Sequence, residues 1–352
     1  MKWLIQKGGR IMQIEQLISV IDAHTTGTPI RIVVSGIPRL HGKTVGEKME
    51  YMRANYDWIR TSLLQQPRGF TSLVAAVLTE PVSEEADYGL FYMDDLTYQP
   101  MCGAGTLAVA KALVSVGMVP VKEPATEVVL ETPTGLVRVS VAIANGNPGR
   151  VSLRNIPAFL YRKDLELEVP EIGHLTVDIG YGGNFFVLTD ISQIQTPLIH
   201  GEIKKEQMSE LRRLSRLILQ EANKNIQVVH PENPAINYLD QLLYYSTKAE
   251  EDGSYLAQCI FGDAQADISP CGTGTSTRLA QKYFRGELKV GDTYRQKSVC
   301  GGVFEGKVSE TAKAGELPAI IPVVSCADIH LTGFNQLFLE KDDKLKYGFT
   351  SW

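Results

Sequence analysis

Cys102-Gly103-Ala104-Gly105-Thr106 recurs further along the chain as Cys271-Gly272-Thr273-Gly274-Thr275, and each copy leads into a segment with helical spacing. Two unrelated helix starts could share a cysteine and two glycines, but four identical residues out of five, with a small residue at the remaining position, argue against coincidence. We interpret the repeat as two equivalent halves, each of which places one thiol at the N-terminus of a helix. A single site between the halves would bring the two thiols together.

A glycine-rich turn at the start of a helix suits the binding of an anion. The first backbone N–H groups of a helix have no partner within it, and they point outward beside the positive end of the helix dipole. The glycines of both motifs let a ligand approach the backbone closely. The same field is expected to lower the pKa of the neighbouring cysteine and to favour a thiolate that acts as base or nucleophile.

Length and composition narrow the class of protein. The chain has 352 residues, enough for two cores, and its 44% hydrophobic and 21% charged content is ordinary for a globular protein. A net charge of −5 gives no reason to expect nucleic acid or an anionic membrane as partner. No apolar run approaches the roughly 20 residues of a membrane span, and the N-terminal apolar stretch is too short for a signal peptide. We expect a cytoplasmic protein with a small-molecule ligand.

Regular patterning of the sequence starts near Ile18, so Met12 is an alternative first residue to Met1.

The cysteines indicate free thiols. Five cysteines, an odd number without close spacing, argue against a disulfide framework and for a reducing compartment. Cys259, Cys300 and Cys326 lie in apolar, strand-like surroundings, and we interpret them as inert core residues. Cys102 and Cys271 then remain as the working thiols.

Residue patterns predict the same order of elements in both halves: strands, a Cys-Gly motif, a helix and further strands. Residues 103–118 are apolar almost all round, which is typical of a helix buried on every side. Thr44 and Glu47 form a capping box for a helix that extends to about Leu64, and residues 204–223 have the amphipathic pattern of an outer helix. A further helix is predicted at 273–284, and strands at 17–22, 29–37, 71–78, 88–93, 127–130, 136–144, 175–189 (a pair), 242–245, 255–261, 298–308 and 320–324.

Several short stretches accompany the two cysteine motifs. They are Ile21-Asp22-Ala23-His24-Thr25, Pro67-Arg68-Gly69, Leu78-Thr79-Glu80-Pro81, Met101-Cys102-Gly103, Gly182-Gly183-Asn184-Phe185-Phe186, Asp267-Ile268-Ser269-Pro270-Cys271-Gly272-Thr273-Gly274-Thr275 and Gly333-Phe334. With them the chain resembles the proline racemase family, within the diaminopimelate epimerase-like superfamily, from about residue 17 to the C-terminus.

The resemblance implies an α/β (α+β) fold of two pseudo-symmetric halves. Each half would be a curved, mostly antiparallel sheet around a central helix, with the substrate in the cleft between the halves. The N-terminal half, with Cys102, would cover 13–173 and be completed by about 328–352. The C-terminal half, with Cys271, would cover 174–327. The resemblance also favours a homodimer.

The resemblance further implies an amino-acid racemase or epimerase that uses neither cofactor nor metal. One of Cys102 and Cys271 would remove the α-proton of an amino or imino acid, and the other would deliver a proton to the opposite face. Asp267 would take the substrate ammonium, and Phe261 would pack against the ring. The substrate carboxylate would be held by backbone N–H groups of Gly103, Ala104, Gly272 and Thr273.

The residue types support this chemistry independently. Abstraction of an α-proton needs a base close to the hydrogen and stabilisation of the negative charge that grows in the transition state. Two helix N-termini aimed at the carboxylate would supply that stabilisation. Inversion asks for a base on one face and an acid on the other, so one deprotonated and one protonated thiol suffice. Their titrations would be coupled.

Position 271 separates activities within the family. Relatives with threonine there resemble hydroxyproline dehydratases, so Cys271 favours a racemase or epimerase. At four other positions the chain departs from the usual family residues. Ala104 and Phe70 stand where relatives have histidine, Thr28 stands in place of glutamate, and Ile268 stands in place of arginine. Loss of the histidine at position 104 removes a polar group that could bind a ring hydroxyl. Proline, or a broader set of amino acids, is therefore favoured over 4-hydroxyproline.

Two hypotheses from different classes remain. The first is a racemase or epimerase of proline, of 4-hydroxyproline or of a broader set of amino acids. The second is a non-catalytic protein that binds an imino acid, motivated by the four altered positions.

Other groups are weaker candidates. His24, in a predicted loop beside Asp22, has either a hydrogen-bonding or a structural role, and His230 and His330 are interpreted as structural. Asp94-Asp95 is interpreted as a solvated pair. The sequence contains neither His-Glu-x-x-His nor Cys-x-x-Cys, which disfavours zinc, and it lacks the glycine motifs that bind nucleotides.

Overall fold

A computed structural model describes residues 14–234, 236–262 and 264–350. The alternative start at Met12, and residue 13 at the predicted beginning of the N-terminal half, lie outside the described residues. Among the helices of the described residues, none combines the length and the apolar composition needed to cross a membrane.

The first part of the chain forms eight strands and two helices. They are β1 (Ile14–Thr25), β2 (Thr28–Ser35), α1 (Val45–Leu64), β3 (Val74–Thr79), β4 (Tyr88–Met93), β5 (Tyr98–Gln99), α2 (Gly103–Ser115), β6 (Ala125–Thr132), β7 (Gly135–Ala144) and β8 (Asn147–Arg154).

The rest of the described chain forms the remaining strands and helices. They are β9 (Phe159–Val169), β10 (Gly173–Tyr181), β11 (Phe185–Asp190), α3 (Met208–Asn225), β12 (Gln241–Ala249), β13 (Tyr255–Phe261), β14 (Gln265–Ala266), α4 (Gly272–Phe284), β15 (Thr293–Lys297), β16 (Val303–Ala314), β17 (Leu317–Cys326) and β18 (Ile329–Glu340), with short 3₁₀ turns at Ile191–Gln193 and Lys205–Gln207.

The strand pairing repeats between the two halves. Strands β1 to β8 pair in the same order and sense as β10 to β17. Each set starts with an antiparallel hairpin, β1–β2 or β10–β11. A helix follows, and the next strand pairs in parallel with the second hairpin strand, as β3 with β2 and β12 with β11. The second parallel pair, β4–β6 or β13–β15, spans the Cys-Gly motif and its helix. Two pseudo-symmetric halves, built mostly of antiparallel strands, are therefore present as predicted.

Three further antiparallel strand pairs complete the two sheets and link them to each other. Strand β18 pairs along β1 in the way that β9 pairs along β10, so the C-terminal strand completes the N-terminal sheet. Strands β8 and β17 pair with each other and link the two sheets. The residue bounds given above for the two halves remain a prediction.

Helix α2 is the apolar centre of the N-terminal half. Its residues from Ala104 to Val114 are buried, apart from the partly exposed Lys111. The cluster around it collects side chains from the strands of this half, from Ile21 in β1 to Leu153 in β8. The uniformly apolar pattern of residues 103–118 thus corresponds to a helix that the sheet surrounds, as predicted.

Helix α4 takes the equivalent place in the other half but buries polar side chains. Arg278 is 2% exposed, and its guanidinium lies 3.6 Å from the centroid of the Tyr245 ring. Gln281 and Arg285 both donate to Oδ2 of the buried Asp178, at 2.5 and 2.9 Å. Hydrogen bonds therefore join Gln281 and Arg285 to Asp178, whereas Arg278 Nε has no hydrogen-bond partner among the described residues and its guanidinium stacks on the Tyr245 ring.

The outer helices behave as their sequences predict. Helix α1 begins after Thr44, whose Oγ1 accepts a hydrogen bond from Glu47 N at 3.0 Å, while Glu47 Oε2 accepts one from Lys43 N. Helix α3 buries one face, which includes Leu211 and Ile218, and exposes charged residues on the other.

Three local interpretations from sequence were wrong. His24 lies within β1, not in a loop, because β1 and β2 are joined by the two-residue turn Thr26-Gly27. The predicted strand 298–308 begins only at Val303, so Cys300 is exposed in a turn; Cys259 and Cys326 are buried as predicted. Asp94 and Asp95 are both buried, because Asp94 accepts hydrogen bonds from the turn that follows it and Arg60 binds both main-chain carbonyls.

Gly182 allows the turn between β10 and β11 to rest on the first turns of α4. A Cβ atom at this position would lie 2.6 Å from both Thr273 O and Thr277 N. These are backbone atoms of a helix and cannot move aside independently. Gly183 has φ of +125° and would also meet the side chain of Thr273.

We expect Gly182→Ala to lower the free energy of unfolding by roughly 1–3 kcal/mol, the usual cost of overpacking. Gly149→Ala is the matched control, since a Cβ there would lie 3.5 Å from Ala142 O on an exposed strand. Urea denaturation of both variants measures the difference. Equal stability of the two variants would contradict the close packing of this turn on α4.

Candidate active site

The two motif cysteines cap the two central helices in the same way. Cys102 is the N-cap of α2, and Cys271 is the N-cap of α4. Cys102 Sγ accepts a hydrogen bond from Gly105 N at 3.4 Å, and Cys271 Sγ accepts one from Gly274 N at 3.3 Å. Each sulfur therefore occupies the position in which a serine or aspartate oxygen usually satisfies the third N–H of a helix.

The threonine that ends each motif bonds back to the cysteine that begins it. Thr106 Oγ1 donates to Cys102 O at 2.8 Å, and Thr275 Oγ1 donates to Cys271 O at 2.7 Å. The backbone N–H of each threonine donates to the same carbonyl. The repeat in the sequence thus has a structural cause, because its first and fifth residues form one hydrogen-bonded unit in both halves.

The starts of the two helices meet at a pair of glycines, which we call the helix junction. A Cβ atom on Gly103 would lie 3.4 Å from Gly272 Cα, and one on Gly272 would lie 3.5 Å from Gly103 Cα. The first two N–H groups of each helix have no acceptor inside it. The junction therefore brings together the positive ends of two helix dipoles, an arrangement that favours an anion.

The electrostatic setting of Cys102 differs from the sequence-based expectation. Burial raises the pKa of its thiol to about 12, the hydrogen bond from Gly105 lowers it, and the negative charges of Asp267 and Cys271 raise it. The helix terminus therefore acts in the expected direction, but the cost of burying the charge exceeds it.

Ser269 connects Asp267 to Cys271. Its N–H and its Oγ both donate to Asp267 Oδ1 at 2.9 Å, and its Oγ accepts a hydrogen bond from Cys271 N at 3.1 Å. Ser269 is fully enclosed, with 2% exposure. No role for Ser269 was predicted from the sequence. Asp-x-Ser is nevertheless the spacing of a turn in which the aspartate carboxylate accepts a hydrogen bond from the N–H of the residue two positions later.

Asp267 has an unusual acidity. Burial raises the pKa of its carboxyl to about 6, whereas the hydrogen bonds from Ser269 and the contacts with Cys271 and Thr28 lower it. The carboxyl therefore changes charge close to neutral pH. Its ionised form would gain from a cation that replaces the lost hydration.

Two of the four departures from the family pattern adjoin Asp267. Thr28 is buried, and its hydroxyl lies close enough to lower the pKa of the Asp267 carboxyl. Ile268 packs on the turn between β1 and β2, where its Cγ2 would lie 3.1 Å from a Cβ on Gly27. Since Ile268 carries no charge, it cannot supply the cation that an arginine at this position would bring.

The other two departures lie apart from Asp267. Ala104 is buried in the first turn of α2, and its carbonyl accepts a hydrogen bond from Thr25 Oγ1 at 2.9 Å, which ties the helix to β1. Phe70 lies between α1 and β3 and is 52% exposed.

The remaining predicted site residues lie around Cys271. Phe261, at the end of β13, packs against the same apolar cluster as Cys271. Thr273 places its Oγ1 3.5 Å from Cys271 Sγ. The structure thus gathers the predicted residues at the helix junction and on the strand and turn that precede α4. Their roles remain predictions. The predicted set is Cys102, Gly103, Ala104, Phe261, Asp267, Cys271, Gly272 and Thr273.

Comparison with known proteins assigns the family. A family model described as "Proline racemase" matches residues 20–350. The chain belongs to the proline racemase family. It is 38% identical to a proline racemase of Acetoanaerobium sticklandii over 96% of this chain and 100% of the relative, and 35% identical to a trans-3-hydroxy-L-proline dehydratase of Burkholderia ambifaria over 96% and 99%. Among solved structures, a hydroxyproline epimerase from Agrobacterium vitis with bound trans-4-hydroxy-L-proline is similar, with a TM-score of 0.84 and 27% identity over 97% of this chain and 96% of that one.

In this member of the proline racemase family the two cysteines differ in backbone conformation. Cys102 is extended, with φ of −142° and ψ of 115°, whereas Cys271 has φ of +66° and ψ of 110°. A positive φ is costly for a residue with a Cβ, by about 1–3 kcal/mol when the surroundings impose it. Hydrogen bonds on both sides of Cys271, from its N–H to Ser269 and from Gly274 to its sulfur, maintain this conformation.

We expect Cys271→Gly to be more stable than Cys271→Ala by about 1–3 kcal/mol, because glycine avoids the cost of a positive φ. At Cys102, an N-cap with extended backbone, Cys102→Gly should exceed Cys102→Ala only by the ordinary N-cap preference, about 0.5–1 kcal/mol. Thermal unfolding of the four variants measures both differences. An equal advantage of glycine at both positions would show that Cys271 is not strained.

Proposed function

We propose that this protein is a cofactor-independent proline racemase that inverts the α-carbon with the thiols of Cys102 and Cys271. The observation that carries the proposal is the helix junction, at which two cysteine-capped helix N-termini meet at Gly103 and Gly272. Such a junction can bind one carboxylate between two helix dipoles while presenting a thiol from each half. The chain is thus an isomerase of its family, with an amino or imino acid as substrate.

The proton transfers follow from the two thiols. The thiolate of one cysteine takes the α-proton as an S–H bond forms and the Cα–H bond breaks. The S–H of the other cysteine gives its proton to the opposite face of the carbon. Negative charge that passes into the carboxylate is stabilised by the N–H groups of Gly103, Ala104, Gly272 and Thr273. After one turnover the two thiols have exchanged protonation states, so the enantiomer is processed with the roles reversed.

The acidities suggest which thiol begins as the acid. Because the pKa of Cys102 is raised to about 12, Cys102 keeps its proton in the unliganded protein at neutral pH. The role of base in the first turnover then falls to Cys271, for the enantiomer whose α-hydrogen faces it. Asp267 would hold the substrate ammonium, and Phe261 would contact the ring.

A second candidate substrate is 4-hydroxyproline. It is favoured by the likeness to the Agrobacterium vitis epimerase, which was solved with trans-4-hydroxy-L-proline bound. Against it, Ala104 offers no side-chain partner for a ring hydroxyl, and a buried hydroxyl without a partner costs about 1–3 kcal/mol. Retention of Cys271 argues against a dehydratase. A dehydratase removes the α-proton from one face and does not return a proton to the opposite face of Cα, so it would not need a second thiol there.

Deuterium uptake at Cα in heavy water tests the reaction directly. We expect D- and L-proline to exchange, and 4-hydroxyproline epimers and other amino acids to exchange more slowly. Cys102→Ser and Cys271→Ser should each lower racemisation by about 10²–10⁴-fold, because each removes a general acid or base. Cys300→Ser, at an exposed cysteine outside the site, is the control that should keep full activity.

Two outcomes would contradict the proposal. Full racemisation by either serine variant would reject the paired thiols. No exchange with any amino or imino acid, in a folded protein that still binds one, would leave the binding-protein hypothesis.

The pH dependence of kcat/KM should follow the ionisation of the Asp267 carboxyl. Below a pH of about 6 the carboxyl is protonated and cannot pair with the substrate ammonium, so kcat/KM for proline should fall about tenfold for each pH unit below that value. Above it the carboxylate is formed and this dependence should disappear. Asp267→Asn should lower kcat/KM and remove the acidic limb of the profile. An unchanged limb in that variant would show that another group titrates there.

A further inference from the structure

A third thiol lies beside Cys271 and has no part in the proposed reaction. Cys259, in β13, is 1% exposed and packs in the same cluster as Cys271. Cys259 Sγ, Cys271 Sγ and a carboxylate oxygen of Asp267 all lie within 4.8 Å of one another. Residues on a strand, in a turn and at a helix N-cap therefore converge on one point.

The backbone holds this cluster together. Asp267 N donates to Cys259 O at 3.0 Å, which fixes the acid opposite the strand residue. Gln258 Nε2 donates to Asp267 O at 2.8 Å, and Ser269 links the Asp267 carboxylate to the N–H of Cys271. The ligand atoms have partners of their own: Cys271 Sγ accepts a hydrogen bond from Gly274 N, and Cys259 Sγ donates one to Gln241 Oε1 at 3.6 Å.

The donor set matches one class of cation. Two thiolate sulfurs with one carboxylate oxygen suit Zn²⁺, since soft sulfur ligands select zinc over magnesium or calcium. Around a tetrahedral zinc with Zn–S of about 2.3 Å and Zn–O of about 2.0–2.2 Å, neighbouring ligand atoms stand roughly 3.3–3.8 Å apart. Atoms that are already within 4.8 Å reach this spacing by small side-chain rotations.

The charges also suit a divalent cation. The contact with Cys271 and burial raise the pKa of the Cys259 thiol, and burial raises the pKa of Asp267, so the unliganded cluster retains protons. Zinc displaces such protons and takes the thiols as thiolates. Three ligands leave one position of the tetrahedron open, as in sites where zinc also binds a water or a small molecule.

We propose that Cys259, Asp267 and Cys271 form a zinc-binding site that overlaps the substrate site. Zinc there would bind the sulfur that exchanges the α-proton and the carboxylate that takes the ammonium, so zinc and substrate exclude each other. The inhibition rests on the proposed function, but the binding of metal does not. Motif spacing could not indicate this site, because seven residues separate Cys259 from Asp267 and three separate Asp267 from Cys271.

The experiment compares the wild type with Cys259→Ala and with Cys326→Ala, the control at a buried cysteine of β17 that packs in the cluster around α2 instead. Co²⁺ serves as a spectroscopic probe, and Zn²⁺ is then added to displace it. We expect one thiolate-to-cobalt charge-transfer band per chain in the wild type and in Cys326→Ala. Cys259→Ala should bind zinc at least 100-fold more weakly, since loss of an outer-shell partner alone costs about 10–100-fold.

Activity supplies the second readout. In the wild type and in Cys326→Ala, zinc should raise the apparent KM for proline in Cα exchange, relative to each variant's zinc-free value. Cys259→Ala should be insensitive at the same zinc concentration. Circular dichroism checks its folding, and Cys259→Ser, which keeps the volume but offers a poorer ligand, replaces it if the alanine variant misfolds.

The outcomes separate the two proposals. Equal zinc affinity in the Cys259 variants and in Cys326→Ala would overturn the zinc site, because the metal would then be held elsewhere. A cobalt band that depends on Cys259, in a protein without any exchange activity, would support the zinc site and reject the racemase. Exchange activity without such a band would do the reverse.

Discussion

Contact between the N-termini of α2 and α4 is the constraint on which the rest of the site depends. Two positive helix ends repel each other, and the fold brings them together only because each helix is enclosed by its own sheet and the sheets are joined through β8 and β17. Glycine at positions 103 and 272 leaves no side chain between the two backbones. An anion placed there relieves the repulsion, so the energetic cost of the junction in the unliganded protein becomes affinity for a carboxylate.

The two halves repeat the hydrogen bonds of the junction but not its surroundings. The sulfurs of Cys102 and Cys271 accept alike, yet only Cys271 adopts a positive φ, and the partly buried Asp267 lies on its side. Helix α2 sits in an apolar core, whereas α4 buries Arg278 and Gln281 in a polar network. This asymmetry suits the proposed chiral substrate. Its carboxylate would lie between the two helix ends and be bound by both halves, whereas its ammonium would need an acid on one side only.

Sequence predicted the elements whose signals are local and failed where partners are distant. The cap at Thr44, the strand at residues 88–93 and the apolar helix after Cys102 were all recognisable, because periodicity and capping are encoded within a few residues. Strands β8, β9 and β18 went unpredicted, since polar and charged residues mask their alternation. Strands β8 and β18 also pair with the distant strands β17 and β1. Burial of Asp94 depends on Arg60, and burial of the polar face of α4 depends on Asp178 and Tyr245, all supplied by tertiary contact. The candidate site residues were chosen through the repeat and the family likeness; Ser269 and Cys259 were missed because their possible roles depend on which atoms they face.

The site concentrates acids, and this explains its unusual acidities. Cys102, Cys271, Cys259 and Asp267 lie close together, and the negative charges of Asp267 and Cys271 raise the pKa of the Cys102 and Cys259 thiols. The unliganded site can therefore hold few of these groups in ionised form. A zwitterionic amino acid changes the balance without adding net charge. In the proposed complex the ammonium would compensate Asp267, while the carboxylate would lie at the helix ends. With Asp267 compensated, a thiolate would cost less in the complex than in the free protein. The proposed base would thus become available chiefly when the substrate that bears the α-proton is bound, and a thiophilic cation at the proposed zinc site would compete with that substrate.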